Sequence, residues 1–255
     1  MTDTYSAFSV EVADYVATVT ITLPPVNAQN RAFREEITRL FDSLGERADV
    51  RAIVLTGAGK IFSAGADLKD RPDPKVPGAY PTHGRNVREG FNCVMECPKP
   101  VIAAVNGAAI GAGCVLALVC DIVVMADEAY LAMTEVDYVL AGGVSHIRRH
   151  FGESDARLMV YTARRISGQE ALRMNVASVS LPRDEMLPAA LGIAREIAAK
   201  SPAAVRAAKK SFLITEGLPL QEGYKFEQSQ TAMLATTDDF REAQRAFAEK
   251  RKPSF

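Results

Sequence analysis

The chain has 255 residues, 48% of them hydrophobic, enough to bury a large core as one domain or as one domain with a small appendage. Thirty basic and 31 acidic residues leave a formal net charge of −1, which excludes the basic footprint of a dedicated nucleic-acid binder. The four cysteines (Cys93, Cys97, Cys114 and Cys120) form no CxxC pair and only three histidines accompany them, a pattern of small buried thiols in a reducing compartment rather than of a metal site.

At the start, MTDTYSAFSVEVADYVATVTITL lacks a basic region followed by a continuous apolar block, so no signal peptide is expected. Phe8, Val10 and Val12, then Val16, Val19 and Ile21, alternate as two strands turning near Asp14. Phe33, Ile37, Leu40, Phe41 and Leu44 follow at helical spacing across 31–47. A buried strand is expected at 52–56. The segment 57–70, GAGKIFSAGADLKD, then places the small residues Ser63, Ala64, Gly65 and Ala66 in a turn before Asp67. Small side chains let a ligand approach the backbone, so that amide N–H groups can point at negative charge.

Residues 70–81 are rich in proline and glycine and read as a surface loop, before helical character resumes at 87–95. A short strand at 101–105 leads into a second small-residue turn, 107–113, with a helix expected at 114–119 and a strand at 122–125. The apolar run 115–126 is interrupted by Asp121 and is too short to cross a bilayer, so no membrane association is expected and the localisation expected is cytoplasmic. Beyond residue 151 the pattern is nearly all helical, with helices at 154–162, 167–175, 184–200, 202–215, 220–235 and 238–250. Ser167-Gly168-Gln169-Glu170 and Ser201-Pro202 are good helix starts. Strands joined through helices argue for an α/β core with a helical C-terminal part.

The two glycine-rich turns share one context: strand, small-residue turn, helix. Converging from neighbouring strands, they would direct two amide donors at one oxygen, an oxyanion hole suited to a thioester carbonyl. Neither turn spells G-x-G-x-x-G, and no G-x-x-x-x-G-K-[ST] is present, so neither a dinucleotide nor a nucleotide-triphosphate loop is indicated.

GAGKIFSAGADLKD, followed by KPVIAAVNGAAIGAGCVLALVCDIVVMADEAYLAMTEV, closely resembles the signature of the crotonase (enoyl-CoA hydratase/isomerase) superfamily. TARRISGQEALRMNVASVSLP and the ending AFAEKRKPSF extend the resemblance over essentially the whole chain. It implies an α/β fold: a crotonase-like ββα spiral core over 1–195, with two roughly perpendicular sheets, and a C-terminal helical trimerisation region over 196–255. It implies an acyl-CoA substrate, a homotrimer or dimer of trimers, and no metal and no cofactor beyond the coenzyme A carried on the substrate.

Residue by residue, the resemblance makes Ala66 and Ala112 the two oxyanion donors. Glycine is usual at the second position, but alanine keeps the backbone N–H. Ala64, Gly65, Asp67, Leu68, Lys69 and Gly111 would line the substrate, and Lys250 would contact the nucleotide phosphates, from a neighbouring subunit if not its own. A solvated surface role stands beside the binding role for both lysines.

Two glutamates serve the family's hydratases. The first of these positions is Val115 here, while Glu135 matches the second. One carboxylate suits moving a proton between two carbons of an enoyl thioester, so double-bond isomerisation leads. Non-standard hydration or hydratase-lyase chemistry, thioester hydrolysis, and a non-catalytic acyl-CoA or RNA-binding role are the alternatives. The further acidic partner of dienoyl-CoA isomerases falls on Gly143. Asp137 would join Glu135 only if the segment is extended, and His146 follows a loop about three residues shorter than the family's. The acyl wall would come from 70–81, Val115, 140–144, and Tyr224 or Phe247.

Overall fold

The structure, a computed structural model, describes residues 4–255; the first three residues of the stretch read for a leader lie outside it. Strands β1 (Phe8–Ala13) and β2 (Val16–Ile21) form the expected antiparallel hairpin, with Phe8 opposite Ile21. Asp14 and Tyr15 turn it at φ of 51° and 61°, the left-handed pair that matches strand twist in a two-residue loop.

Helix α1 (Arg31–Glu46) starts on Asn30, whose side-chain oxygen accepts the Phe33 N–H at 3.0 Å. The five apolar residues named from its spacing are all buried. Strand β3 (Ala52–Gly57) lies parallel to β2, and its neighbours continue outward as β5 (Val101–Val105), β7 (Ile122–Ala126) and β10 (Val179–Leu181). The six-stranded sheet so formed has the order β1-β2-β3-β5-β7-β10. Its central strands β3 and β5 are buried along their whole length, and helix α7 (Arg183–Ala198) packs across β3, β5 and β7. Strands covered on both faces read as continuous apolar runs, as AIVL and VIAAV do.

A second sheet has the order β4-β6-β8-β9, from β4 (Ile61–Ser63), β6 (Ala108–Ile110), β8 (Tyr130–Ala132) and β9 (Ile166–Ser167). Strands β3, β5 and β7 of the first sheet each hand the chain to a short strand of the second and then to a helix. β3 and β4 lead to α2 (Ala79–Glu96), β5 and β6 to α3 (Ala112–Leu118), and β7 and β8 to α4 (Val144–His150). This is the repeated ββα turn implied by the resemblance.

Helices α5 (Glu153–Thr162) and α6 (Gly168–Arg173) follow, and α6 is started by a capping box between Ser167 and Glu170. Helices α8 (Pro202–Thr215), α9 (Leu220–Leu234) and α10 (Asp238–Ala248) close the chain. Buried Lys209 fastens α8 to the core: its Nζ donates to Asp121 Oδ2 at 2.7 Å and to the Lys99 carbonyl at 3.0 Å. Phe212, Leu220 and Phe247 on these helices are 77%, 87% and 87% exposed, apolar surface the single chain leaves uncovered.

Strands β9 and β10 interrupt the stretch read as nearly all helical, and two boundary differences bear on the site. Helix α2 begins at Ala79, so the expected loop is shorter and Pro81 sits in the first helical turn, where its missing N–H breaks no bond. Helix α3 begins at Ala112 rather than Cys114, which brings the second turn's alanine onto the helix start.

Candidate active site

The first turn leaves β4 with most of its amides engaged. Ala64 N–H donates to the Val26 carbonyl at 3.0 Å, Gly65 N–H to Ser63 Oγ at 3.2 Å and Asp67 N–H to the Gln29 carbonyl at 3.3 Å. The Asp67 side chain accepts the Lys69 N–H at 3.0 Å and starts a 3-10 turn, Leu68–Asp70. Between these donors, the Ala66 N–H has no partner among the described residues.

In the second turn, Gly111 N–H donates to the Ala132 carbonyl at 2.8 Å, and Val115 N–H to the Gly111 carbonyl at 3.0 Å. Ala112 is the first residue of α3, where an amide has no intrahelical acceptor. The two turns touch. A Cβ on Gly65 would stand 2.4 Å from the Ile110 carbonyl oxygen and 3.2 Å from the Ala112 nitrogen, and Gly65 has a φ of +85°. Glycine is therefore required there by space and by backbone together.

Three polar side chains hold this arrangement. Gln29 Nε2 donates to the Ala112 carbonyl at 3.1 Å and to Ser63 Oγ at 3.4 Å, bridging the turns. Asn106 exchanges bonds with Gly57, accepting its N–H at 3.2 Å and donating to its carbonyl at 2.8 Å. Ser63 Oγ donates to the Asn27 carbonyl at 2.8 Å. Gln29, Ser63 and Asn106 are all buried; sequence reasoning named Ser63 only as a small turn residue and passed over the other two. A signal existed: isolated polar residues beside small ones, as in VNGAA, whose burial demands bonded partners.

Glu135 follows β8 as the first residue of a second 3-10 turn, Glu135–Tyr138. Its carboxylate lies against Gly111, where a Cβ would be 2.7 Å from Oε1. Oε2 is buried and has no hydrogen-bond partner. Desolvation pushes the Glu135 carboxyl above the ordinary range, against the opposing pull of its own and the Thr134 N–H groups and of the Arg71 charge.

Val115, on α3, is 2% exposed. The backbone of Gly143 closes onto it, since a Cβ there would be 2.8 Å from Val115 Cγ2 and 2.5 Å from Met133 Cε. The side of the site where the resemblance puts a first glutamate is therefore apolar and packed.

Asp137 does not join Glu135. The segment is helical rather than extended, so residues two apart point in different directions, and Asp137 is exposed. His146 sits on α4 with its ring against Phe91, centroids 5.8 Å apart, and burial and Arg149 hold it below the usual histidine range. Leu68, Lys69 and Lys250 are exposed, while Ala64 and Asp67 are half-buried. Lys250 follows α10, and the tail beyond it ends with the Phe255 carbonyl accepting from Arg51. Arg51 precedes β3, at the end of that strand away from the two turns. Tyr224 and Phe247 are 58% and 87% exposed. A cleft of about 590 Å³ between α7, α8 and the end of α3, lined by Leu118, Ile193 and Phe212, contains none of these site residues.

The family described as Enoyl-CoA hydratase/isomerase matches residues 11–255. The human mitochondrial Delta(3,5)-Delta(2,4)-dienoyl-CoA isomerase is 34% identical over 241 residues, covering 89% of this chain and 74% of the relative. The 2,3-dehydroadipyl-CoA hydratase of Escherichia coli (strain K12) is 33% identical over 233 residues, 90% of each protein. The crystal structure of an enoyl-CoA hydratase from Bacillus anthracis superposes with a TM-score of 0.92 at 33% identity, covering 98% of this chain and 99% of that one.

Proposed function

Because the chain belongs to the enoyl-CoA hydratase/isomerase family, we propose that it shifts the double bond of an enoyl-CoA thioester, with Glu135 as the single proton carrier. The observation that carries this reading is the Glu135 carboxylate beside Gly111, with one buried oxygen unpartnered and apolar Val115 in place of a second acid.

In this reading the thioester oxygen of a 3-enoyl-CoA sits between the Ala66 and Ala112 N–H groups. Glu135 takes the proton from C2 as the C–H electron pair delocalises through the double bond and the carbonyl. The two amides stabilise the resulting dienolate, each donor being worth roughly 10²–10³ in rate. The proton then returns to C4 and the double bond settles between C2 and C3. No proton is gained or lost overall, so one carboxylate suffices. A carboxyl of raised pKa is suited to both steps, because its carboxylate is a stronger base toward C2 and its acid form keeps the proton until C4 accepts it. Ala64, Gly65, Asp67, Leu68 and Gly111 shape the walls beside the thioester. Lys69 would meet coenzyme A from the same chain, and Lys250 would do so from a neighbouring subunit.

Hydration is the second reading, favoured by the naming of several relatives as hydratases. Incubation with 3-enoyl and 2-enoyl thioesters separates the two. The expected result is interconversion of the two enoyl isomers without 3-hydroxyacyl-CoA. Accumulation of 3-hydroxyacyl-CoA from the 2-enoyl thioester, or release of free coenzyme A thiol, would overturn the proposal.

A further inference from the structure

Arg71 directly follows the 3-10 turn Leu68–Asp70, five residues past Ala66, on extended backbone with φ −82° and ψ 143°. Its side chain is partly buried, and among the described residues it makes no hydrogen bond, ion pair or ring contact. Every other partly buried arginine has a partner. Arg34 bonds to Asp70 and the Gln29 carbonyl, Arg51 to the Ala198 and Phe255 carbonyls, Arg164 to Glu170 and Arg183 to Glu128.

The acidic groups nearest in sequence do not neutralise Arg71. Asp70 is held by Arg34 at 2.7 Å, Asp73 accepts the Lys75 N–H at 2.9 Å, and Asp67 accepts the Lys69 N–H at 3.0 Å. The charge of Arg71 is felt instead by Glu135, and by His83 on α2, which burial first, then Arg34 and Arg71, disfavour as a cation while Asp70 favours it. Arg34 holds both Asp70 and the Gln29 carbonyl, and Gln29 in turn bonds the Ala112 carbonyl, so Arg71 extends from backbone fastened beside the two turns.

We infer that Arg71 receives an anionic group on the acyl part of the substrate, so that the preferred thioesters carry a second carboxylate beyond the reacting double bond. A guanidinium taken partly out of water without a partner gains most from an incoming carboxylate, which it grips through two parallel N–H donors. The coenzyme A phosphates are the other possible anion, but the pantetheine arm separates them from the reacting carbons that Glu135 must reach. This inference rests on the proposed reading of the site, and its test needs no turnover.

Saturated acyl-CoA pairs of matched length, one ending in a carboxylate and the other in its methyl ester, are titrated calorimetrically into wild type, Arg71→Met and Arg71→Lys, with free coenzyme A as a third ligand. Wild type is expected to bind the carboxylate thioester at least about tenfold more tightly, the scale of one charge-assisted bond. Arg71→Met should bring that ratio to about one, and Arg71→Lys should keep part of it. A wild-type ratio near one overturns the inference, as does a ratio that survives Arg71→Met. Equal weakening of both thioesters and of free coenzyme A assigns Arg71 to the phosphates and also overturns it. Failure of isomerisation, by contrast, leaves the ratio readable.

Discussion

The Glu135 carboxylate packs directly on the backbone of Gly111: a Cβ at that position would lie 2.7 Å from Oε1. Gly111 has φ 54° and ψ −118°, a region open in practice to glycine alone. Gly111, within the second turn, therefore also sets where the proposed proton carrier can stand. Gly111→Ala is expected to lower kcat by about 100-fold or more, through displacement of Glu135, and to cost about 1–3 kcal/mol of stability from backbone strain. Steady-state kinetics beside a urea titration check both effects.

Glu135→Gln removes the proposed proton carrier while keeping the shape, and turnover should fall by roughly 10²–10⁴. The wild-type rate should decline as pH falls through the raised Glu135 pKa, because the carboxylate is the base in the proposed reaction. The stability effect has the opposite sense. A carboxyl raised by burial binds its proton more tightly folded than unfolded, so its ionisation opposes folding. Its contribution is complete below the unfolded-state value and disappears as pH rises through the folded one. Glu135→Gln should therefore melt higher than wild type at pH 8, with the difference shrinking toward pH 4.

Restoring a glutamate at the first family position should not by itself create a hydratase. Val115 is buried under Gly143, so Val115→Glu forces a charge into packed apolar space, at a cost of about 2–4 kcal/mol. Chemical denaturation should show this loss, and product analysis should still find no 3-hydroxyacyl-CoA.

Asp121 accepts both the Val101 N–H and the Lys209 ammonium on one oxygen, each at 2.7 Å. Asp121→Ala leaves the buried Lys209 charge without its carboxylate and is expected to cost about 3–5 kcal/mol. Lys209→Met fills the same volume without a charge and should cost less. Thermal melts of the two variants side by side give the comparison.

The exposed Phe212, Leu220 and Phe247 mark where copies of the chain would meet in the homotrimer, or dimer of trimers, that we propose. Phe212→Asp with Leu220→Asp should lower the mass measured by sedimentation equilibrium toward that of one chain. A wild-type protein that already sediments as a single chain would remove the basis for assembly.

Much of this molecule can be read in order along the chain. The continuous apolar runs of β3 and β5, the spacing of α1, and the starts of α6 and α8 are local patterns, and each formed where its pattern lies. Two small-residue turns and one glutamate in a family-like frame named the candidate site. The three-residue strands β4, β6 and β8 escaped notice because so short a segment shows no alternation, although they seat both turns and Glu135.

What only the tertiary structure decided concerns partners distant in sequence. Gln29 bridges Ser63 and Ala112, Gly143 closes onto Val115, and Arg71 acts on Glu135 with no partner of its own. The chain's sequence by itself determined that backbone amides can be approached closely at the proposed oxyanion site, because that depends on small residues in two local turns. Which groups surround it, and how dry and how charged they leave it, depends on burial and on contacts across dozens of residues. Those quantities set the Glu135 pKa and the freedom of Arg71, and no local pattern encodes them.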